Sequence, residues 1–384
     1  GDIYCLFYEK GFSLLKEHGT LCYITSNKWM RAGYGESLRN YFATKTNPLK
    51  LLDLSGAKIF DNATVDVNIL LSEKAENQGN TQACSLTEKT GVNNLSHYLN
   101  QNQSECPFTT KDSWVILSKI EQSIKQKIEA IGTPLKDWNI QINYGIKTGC
   151  NEAFIISTEK RNEILNNCSS EDERTRTEEI IRPILRGRDI KRYGYDWHDL
   201  WLINTHNGIK GKVPKIEISK YPAIKNHLDQ FKDKIWSRAD QGDTPYNLRN
   251  CAYMEDFYKP KVMWKIIGCN LNFSYDESQM ICNNAVNIMT GSRDELIQFV
   301  CLMNSKLFNW YLKCTTEAEV QGGGIQLYVT TLEKTLVKLD FNNDFTKVAE
   351  MRINGKITDQ EIDECIFNVY GLSNSEKHFI STIG

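Results

Sequence analysis

Apolar positions change period several times along the chain, and those changes divide it. Ile3, Leu6, Phe7, Phe12, Leu14 and Leu15 recur at roughly helical spacing, and His18-Gly19 ends the run with glycine in its usual place after a helix. Thr20–Thr25 is a short apolar run closed by polar Ser26-Asn27, as a fully buried strand reads. Trp29–Phe42 predicts a loop at Gly33-Tyr34-Gly35 followed by a helix from Glu36. Leu49–Leu54 and Val65–Leu71 predict two more strands, antiparallel to each other, with Phe60–Thr64 as a tight link. The order helix–strand–helix–strand–strand is that of an α/β fragment, the end of a doubly wound sheet.

Lys74–Pro107 is rich in Asn, Gln, Ser and Thr and reads as a linker, with one strand at Ala83–Leu86 and a short helix near Leu95–Leu99. Ser113–Ile131 is amphipathic: Val115, Ile116, Ile120, Ile124, Ile128 and Ile131 share one face, and Gly132-Thr133-Pro134 stops the helix. From Leu135 the pattern predicts strands at Ile140–Tyr144, Ala153–Ile156, Leu200–Ile203, Val262–Ile267, Met280–Ile281 and Ala285–Met289. Helices are predicted at Glu159–Leu165, Glu178–Ile181, Tyr221–Phe231, Glu295–Leu312 and Thr358–Tyr370. That mixture is α+β. The domain boundaries fall at 1–75, 76–134, 135–340 and 341–384.

Charge sharpens the division. The formal net charge is −2, but Arg174–Lys265 holds 19 Lys+Arg against 12 Asp+Glu, a net of +7. Asp340–Gly384 holds 4 against 8, a net of −4. A basic middle beside an acidic tail is the asymmetry that anionic ligands select. The 12 cysteines include no Cys-x-x-Cys pair, so zinc spacing is absent and free thiols in a reducing cytoplasm are expected, with no metal. No apolar run approaches membrane-spanning length, and no membrane partner is expected.

Four segments carry candidate chemistry. In Asn143–Phe154, two glycines flank Lys147 and Thr148. The spacing is not that of a phosphate-binding loop of nucleotide hydrolases, which needs four residues between its first glycine and Gly-Lys-Ser/Thr. An ordinary hairpin turn and a contact to backbone phosphate or base edge both remain open, the second using Lys147, Thr148 and Asn151. Arg182–Tyr193 gathers Arg186, Arg188, Lys191 and Arg192 around Gly187, followed by Tyr195, Trp197 and Trp201. It reads as a solvated face or as a nucleic-acid face, since arginine forks suit phosphates and guanine edges. Trp236–Lys265 repeats the theme with Arg238, Arg249, Lys261 and Lys265 among aromatics, some of which belong to the core. Gln321 and Gln326 flank the run Gly322-Gly323-Gly324, a hinge or a close approach to a groove with amide readers of adenine. No His/Asp/Ser arrangement has catalytic spacing.

Six stretches together resemble a known family. Asp2–Lys16, Gly19–Trp29 and Val65–Leu71 are similar to the final third of the catalytic domain of adenine-specific DNA methyltransferases, above all the fused type IIG (or IIS) restriction–modification enzymes. Asn143–Ile156, Ile180–Tyr193 and Asn304–Leu312 resemble the target-recognition domain that follows. The resemblance implies a fold: the end of a Rossmann-like S-adenosylmethionine methyltransferase sheet, then an α+β target-recognition domain. It implies double-stranded DNA as partner, methyl transfer to adenine N6 as the parent reaction, and a nuclease domain elsewhere. The family's Asn-Pro-Pro-Tyr and cofactor glycine motif are not in this sequence, whose eight prolines are never adjacent. No catalytic or cofactor-binding residue is therefore assigned, and S-adenosylmethionine is expected only in the complete enzyme. The chain opens inside a helix, as a C-terminal half would. One role carries over: the target base, once extruded, stacks on an aromatic side chain, for which Tyr34 is the candidate and Trp29 the second. The alternatives are a non-catalytic subunit or split-gene remnant that takes a separate N-terminal half, and an RNA-binding or RNA-modifying relative.

Overall fold

The computed structural model describes residues 2–55, 57, 59–60, 65–86, 94–315, 319–320, 324–338 and 343–383. The chain forms two compact units: 1–130 with 310–319 and 372–383, and 131–309 with 320–371. Together they make a mixed α/β protein with several sheets.

The first unit is built on a five-stranded sheet. Thr20–Ser26 lies at one edge and pairs antiparallel with Val67–Glu73, which pairs antiparallel with Asn47–Asp53 on its other side. The antiparallel pair expected at Leu49–Leu54 and Val65–Leu71 is thus present. Within Lys74–Pro107 the strand expected at Ala83–Leu86 is present as Thr81–Ser85, and the short helix near Leu95–Leu99 as Leu95–Asn102. Thr81–Ser85 runs parallel beside Asn47–Asp53, and Ser104–Cys106 adds a fifth strand. The polar composition of this stretch hid only the strand Ser104–Cys106, which buries Cys106 alone.

Helix Tyr4–Leu14 buries Tyr8 and Phe12 against Trp29 and Phe42 and leaves Ile3, Leu6, Phe7 and Leu14 facing water. The long helix expected from Ser113 begins at Lys119 instead. Ser118 and Glu121 cap it reciprocally: the Ser118 amide donates to the Glu121 carboxylate at 2.8 Å, and the Glu121 amide to Ser118 Oγ at 3.4 Å. Upstream, Trp114 is held extended in the core, where it stacks on Phe108 at 4.6 Å and donates its amide to the Met30 carbonyl.

The second unit carries two four-stranded sheets. One is ordered Phe273–Asp276, Lys261–Lys265, Val286–Thr290, Gln141–Tyr144, all antiparallel; the other Ile281–Cys282, Ile181–Leu185, Leu200–Ile203, Ile155–Ser157. The Ile181–Leu185 and Phe273–Asp276 strands were not legible as strands, the first because it follows directly on helix Glu171–Ile180. The helix expected over Glu295–Leu312 is two, Arg293–Asn304 and Lys306–Thr315. Ser305 breaks it, its hydroxyl accepting from the Phe308 amide at 3.2 Å as an N-cap. No helix among the described residues is long and apolar enough to cross a membrane.

Candidate nucleic-acid interface

The hairpin reading of Asn143–Phe154 is corrected first. Gln141–Tyr144 pairs with Val286–Thr290, while Ile155–Ser157 pairs with Leu200–Ile203 in the other sheet. The Gly145–Cys150 loop therefore crosses between sheets. At its start Gly145 presses against the turn at Asn283: a Cβ there would lie 2.0 Å from the Asn283 carbonyl oxygen, so only glycine fits. The Gly145 amide donates to Val286 and the Ile146 amide to Cys282, at 2.8 and 2.7 Å.

The far end of this loop is held from below. Arg238 is buried, and its guanidinium donates to four carbonyl oxygens, those of Thr148, Asp240, Pro245 and Asn247, while lying 4.5 Å over the Phe154 ring. Thr148 is buried as well, its hydroxyl donating to the Asn151 side chain at 2.6 Å. Both were expected on the surface. The correction is physical: a guanidinium surrounded by carbonyls is a clamp, and a hydroxyl capping a turn is already used.

What the clamp presents is Lys147 and Arg249. Lys147 Nζ sits 3.1 Å from one Asp240 oxygen and Arg249 Nη1 3.1 Å from the other, with both cations about half exposed. Burial works to raise the Asp240 pKa, but hydrogen bonds and charge from the two cations outweigh it and hold the carboxyl below the usual range. Asn151, the first residue of the short helix Asn151–Phe154 that follows the loop, is exposed.

The arginine-rich run divides in the same way. Arg186 grips the fully buried Asp189 with Nε and Nη2 at 3.0 and 2.9 Å, so its fork is occupied. Arg192 donates to Asp359 and to the Asn304 carbonyl, at 2.8 and 2.7 Å. Lys191 reaches the Arg188 carbonyl at 3.1 Å and remains exposed. Arg188 is exposed with its guanidinium unpaired among the described residues. The expected aromatic surface is mostly packed away: Tyr193 is buried beneath Arg352 at 3.9 Å, and Trp201 lies under Arg161 at 4.3 Å and edge-on to Trp197.

Lys261 is a further correction. It is fully buried, pairs with Asp276, and donates to the Phe257 carbonyl at 2.8 Å. Lys265, four residues on, is partly exposed and its stem covers Gly268. The Gln326 amide donates to the exposed Tyr328 hydroxyl. Gln321 lies outside the described residues.

A turn that the sequence reading did not select joins these segments. Cys282–Val286 touches Gly145 and Ile146 on one side. Gly187 lies against Ala285, where an added Cβ would meet the Ala285 Cβ at 3.2 Å, and the Ile266 amide donates to the Ala285 carbonyl at 3.1 Å. The Leu327 amide in turn donates to Ile266 at 2.8 Å. The segments bearing Lys147, Arg188 and Lys265 thus converge on Asn283-Asn284-Ala285, and the segment bearing Gln326 pairs with that of Lys265. Its one sequence signal was an Asn-Asn pair between two apolar runs, a turn mark.

In the first unit, Tyr34 is exposed and shares a 2.8 Å hydrogen bond with the Tyr4 hydroxyl; burial pushes its phenol up against that bond. Trp29, its alternate, is excluded from solvent among Tyr8, Phe42 and Trp114, so it cannot stack on a base without unfolding the core. Strand Thr20–Ser26 runs not into a glycine-rich turn but into the 3₁₀ turn Asn27–Met30, tied down by Asn27 to Asp53 at 2.9 Å.

Comparison with known proteins finds family matches in two stretches of this chain. Residues 1–60 match the family described as Eco57I restriction-modification methylase, and residues 182–335 match the TaqI-like C-terminal specificity domain. The type II methyltransferase M.PaeR7I of Pseudomonas aeruginosa is 19% identical over 397 residues, covering 98% of this chain and 65% of that protein. The type II restriction enzyme and methyltransferase RM.Eco57I of Escherichia coli is 27% identical over 158 residues, 40% of this chain and 16% of its own. In fold, the type IIL restriction-modification enzyme MmeI, solved in complex with DNA, matches with a TM-score of 0.58 at 12% identity, over 100% of this chain and 53% of MmeI. The resemblance to restriction–modification methyltransferases therefore stands, and the chain spans less than two thirds of each of these relatives.

Proposed function

We propose that this chain is the sequence-reading C-terminal half of a type IIG restriction–modification enzyme and that it binds double-stranded DNA. The observation that carries the reading is the convergence of the segments bearing Lys147, Arg188 and Lys265 on the 282–286 turn, largely inside the stretch similar to a specificity domain. Exposed cations held on rigid loops supply a salt-dependent phosphate term, and amides between them can read base edges. Residues 1–75 are the end of the Rossmann-like methyltransferase domain, 135–340 the target-recognition domain and 341–384 a helical tail. The parent reaction is S-adenosylmethionine-dependent adenine-N6 methylation, its catalytic and cofactor residues lying outside this chain, as does any nuclease. Tyr34 is the residue on which an extruded base stacks.

The missing catalytic residues need a place to dock. Helix Tyr4–Leu14 turns Ile3, Leu6, Phe7 and Leu14 outward, and the edge strand Thr20–Ser26 is paired on one side only among the described residues. An apolar face beside an open sheet edge supports a methyltransferase core supplied by the same polypeptide or by a separate chain. Binding of the chain to duplex DNA, single-stranded DNA and RNA at one salt concentration tests the reading. Duplex preference supports it; RNA preference replaces it with the RNA-binding alternative.

A further inference from the structure

We propose that the Asn283-Asn284-Ala285 turn is the base-reading element of this domain, and that Asn284 sets the preference for adenine at one position of the bound site. The proposal rests on the reading of the chain as a duplex-DNA reader and names the residue that discriminates.

Rigidity is the first support. Three chain segments clamp the turn through backbone: Ile146 donates to Cys282 at 2.7 Å, Asn283 donates to Leu185 at 3.0 Å, and Ile266 donates to Ala285 at 3.1 Å. Gly145 and Gly187 are the residues that permit this closeness. Within the turn, the Asn283 side chain is already used, since its Oδ1 accepts the Ala285 amide at 3.2 Å. Asn284 is exposed, and its amide has no side-chain partner among the described residues. A fixed backbone thus presents one unengaged carboxamide, which loses little freedom on binding.

The surroundings are the second support. Arg188 follows Gly187, Lys147 follows Ile146, and Lys265 precedes Ile266, so each clamping segment carries a cation next to its contact with the turn. Cations on three sides fix the phosphates, while a central amide meets a base edge. A carboxamide offers one donor and one acceptor, the pair that matches N7 and the N6 amino group of adenine in the major groove.

The test is selection of bound sequences from a random duplex pool at fixed salt, using the full chain and its Asn284→Ala and Arg188→Ala variants, with thermal melting to confirm that all three fold. The wild type should select a motif with at least one fixed adenine. Asn284→Ala should lose preference at that one position and bind the wild-type motif roughly ten- to a hundred-fold more weakly, with other positions retained. Arg188→Ala should weaken every sequence alike. An Asn284→Ala motif identical to the wild type overturns the proposal while leaving DNA reading intact. A wild type that selects no motif overturns both.

Discussion

The guanidinium of Arg238 donates to the carbonyl oxygen of Thr148, 90 positions earlier in the chain. That bond, with those to Asp240, Pro245 and Asn247, fastens the loop that carries Lys147 to the loop that carries Arg249. Removing the clamp strands buried carbonyls. Arg238→Met should therefore cost about 3 kcal/mol, read as a drop in apparent Tm by circular dichroism. An unchanged Tm would show that the loops hold together without it.

Lys261 and Asp276 form a buried pair at facing positions of neighbouring strands. Replacing one partner leaves a charge without compensation, and Lys261→Met should destabilise by about 3–5 kcal/mol. Lys265→Ala should leave the Tm within about 1 °C and weaken DNA binding instead. Swapped phenotypes would reverse the assignment of the two lysines.

Within the arginine run, the effects should separate. Arg188→Ala should lower affinity and flatten the dependence of log K on log salt by about one charge. Arg186→Ala should act on stability, because it exposes the buried Asp189 carboxylate to the loss of its fork. An unchanged salt slope in Arg188→Ala would remove this segment from the interface.

Acid should loosen the first unit through Glu376. Burial works to raise its pKa, but hydrogen bonds from Lys127, Ser123 and Ser373 outweigh that and hold it at about 2. A carboxyl depressed in the folded state stabilises above its unfolded pKa, near 4.3, and that contribution fades as pH falls from there toward 2. Its full size is on the order of 3 kcal/mol. Glu376→Gln should lower stability at pH 7 and remove part of the acid sensitivity between pH 4 and 2, as followed by urea unfolding at each pH. Parallel pH profiles would place the acid-labile contact elsewhere.

Much of this fold was legible in the chain because period and punctuation agreed. Leu49–Leu54 and Val65–Leu71 read as paired strands, and Thr358 and Glu361 mark the start of a C-terminal helix. The site was legible only in part. Composition located the basic segments, but charge alone does not say which cations face water. Lys261 and Lys265, four apart on one strand, look alike in sequence and differ in structure by a single facing aspartate. Arg238 and Arg186 were misread for the same reason, their partners being carbonyls and a buried carboxylate that no local pattern reveals. Asn284 carries no charge and was passed over, although three segments distant in sequence converge beside it.

The central claim, that this chain reads sequence in duplex DNA, is tested most directly by recovering the duplexes that the full chain retains from a random pool at one fixed salt concentration. A single recurring motif whose enrichment survives competition with excess nonspecific duplex is the expected result. Retention of duplexes without any shared motif, or preferential retention of RNA in a mixed pool, would contradict it.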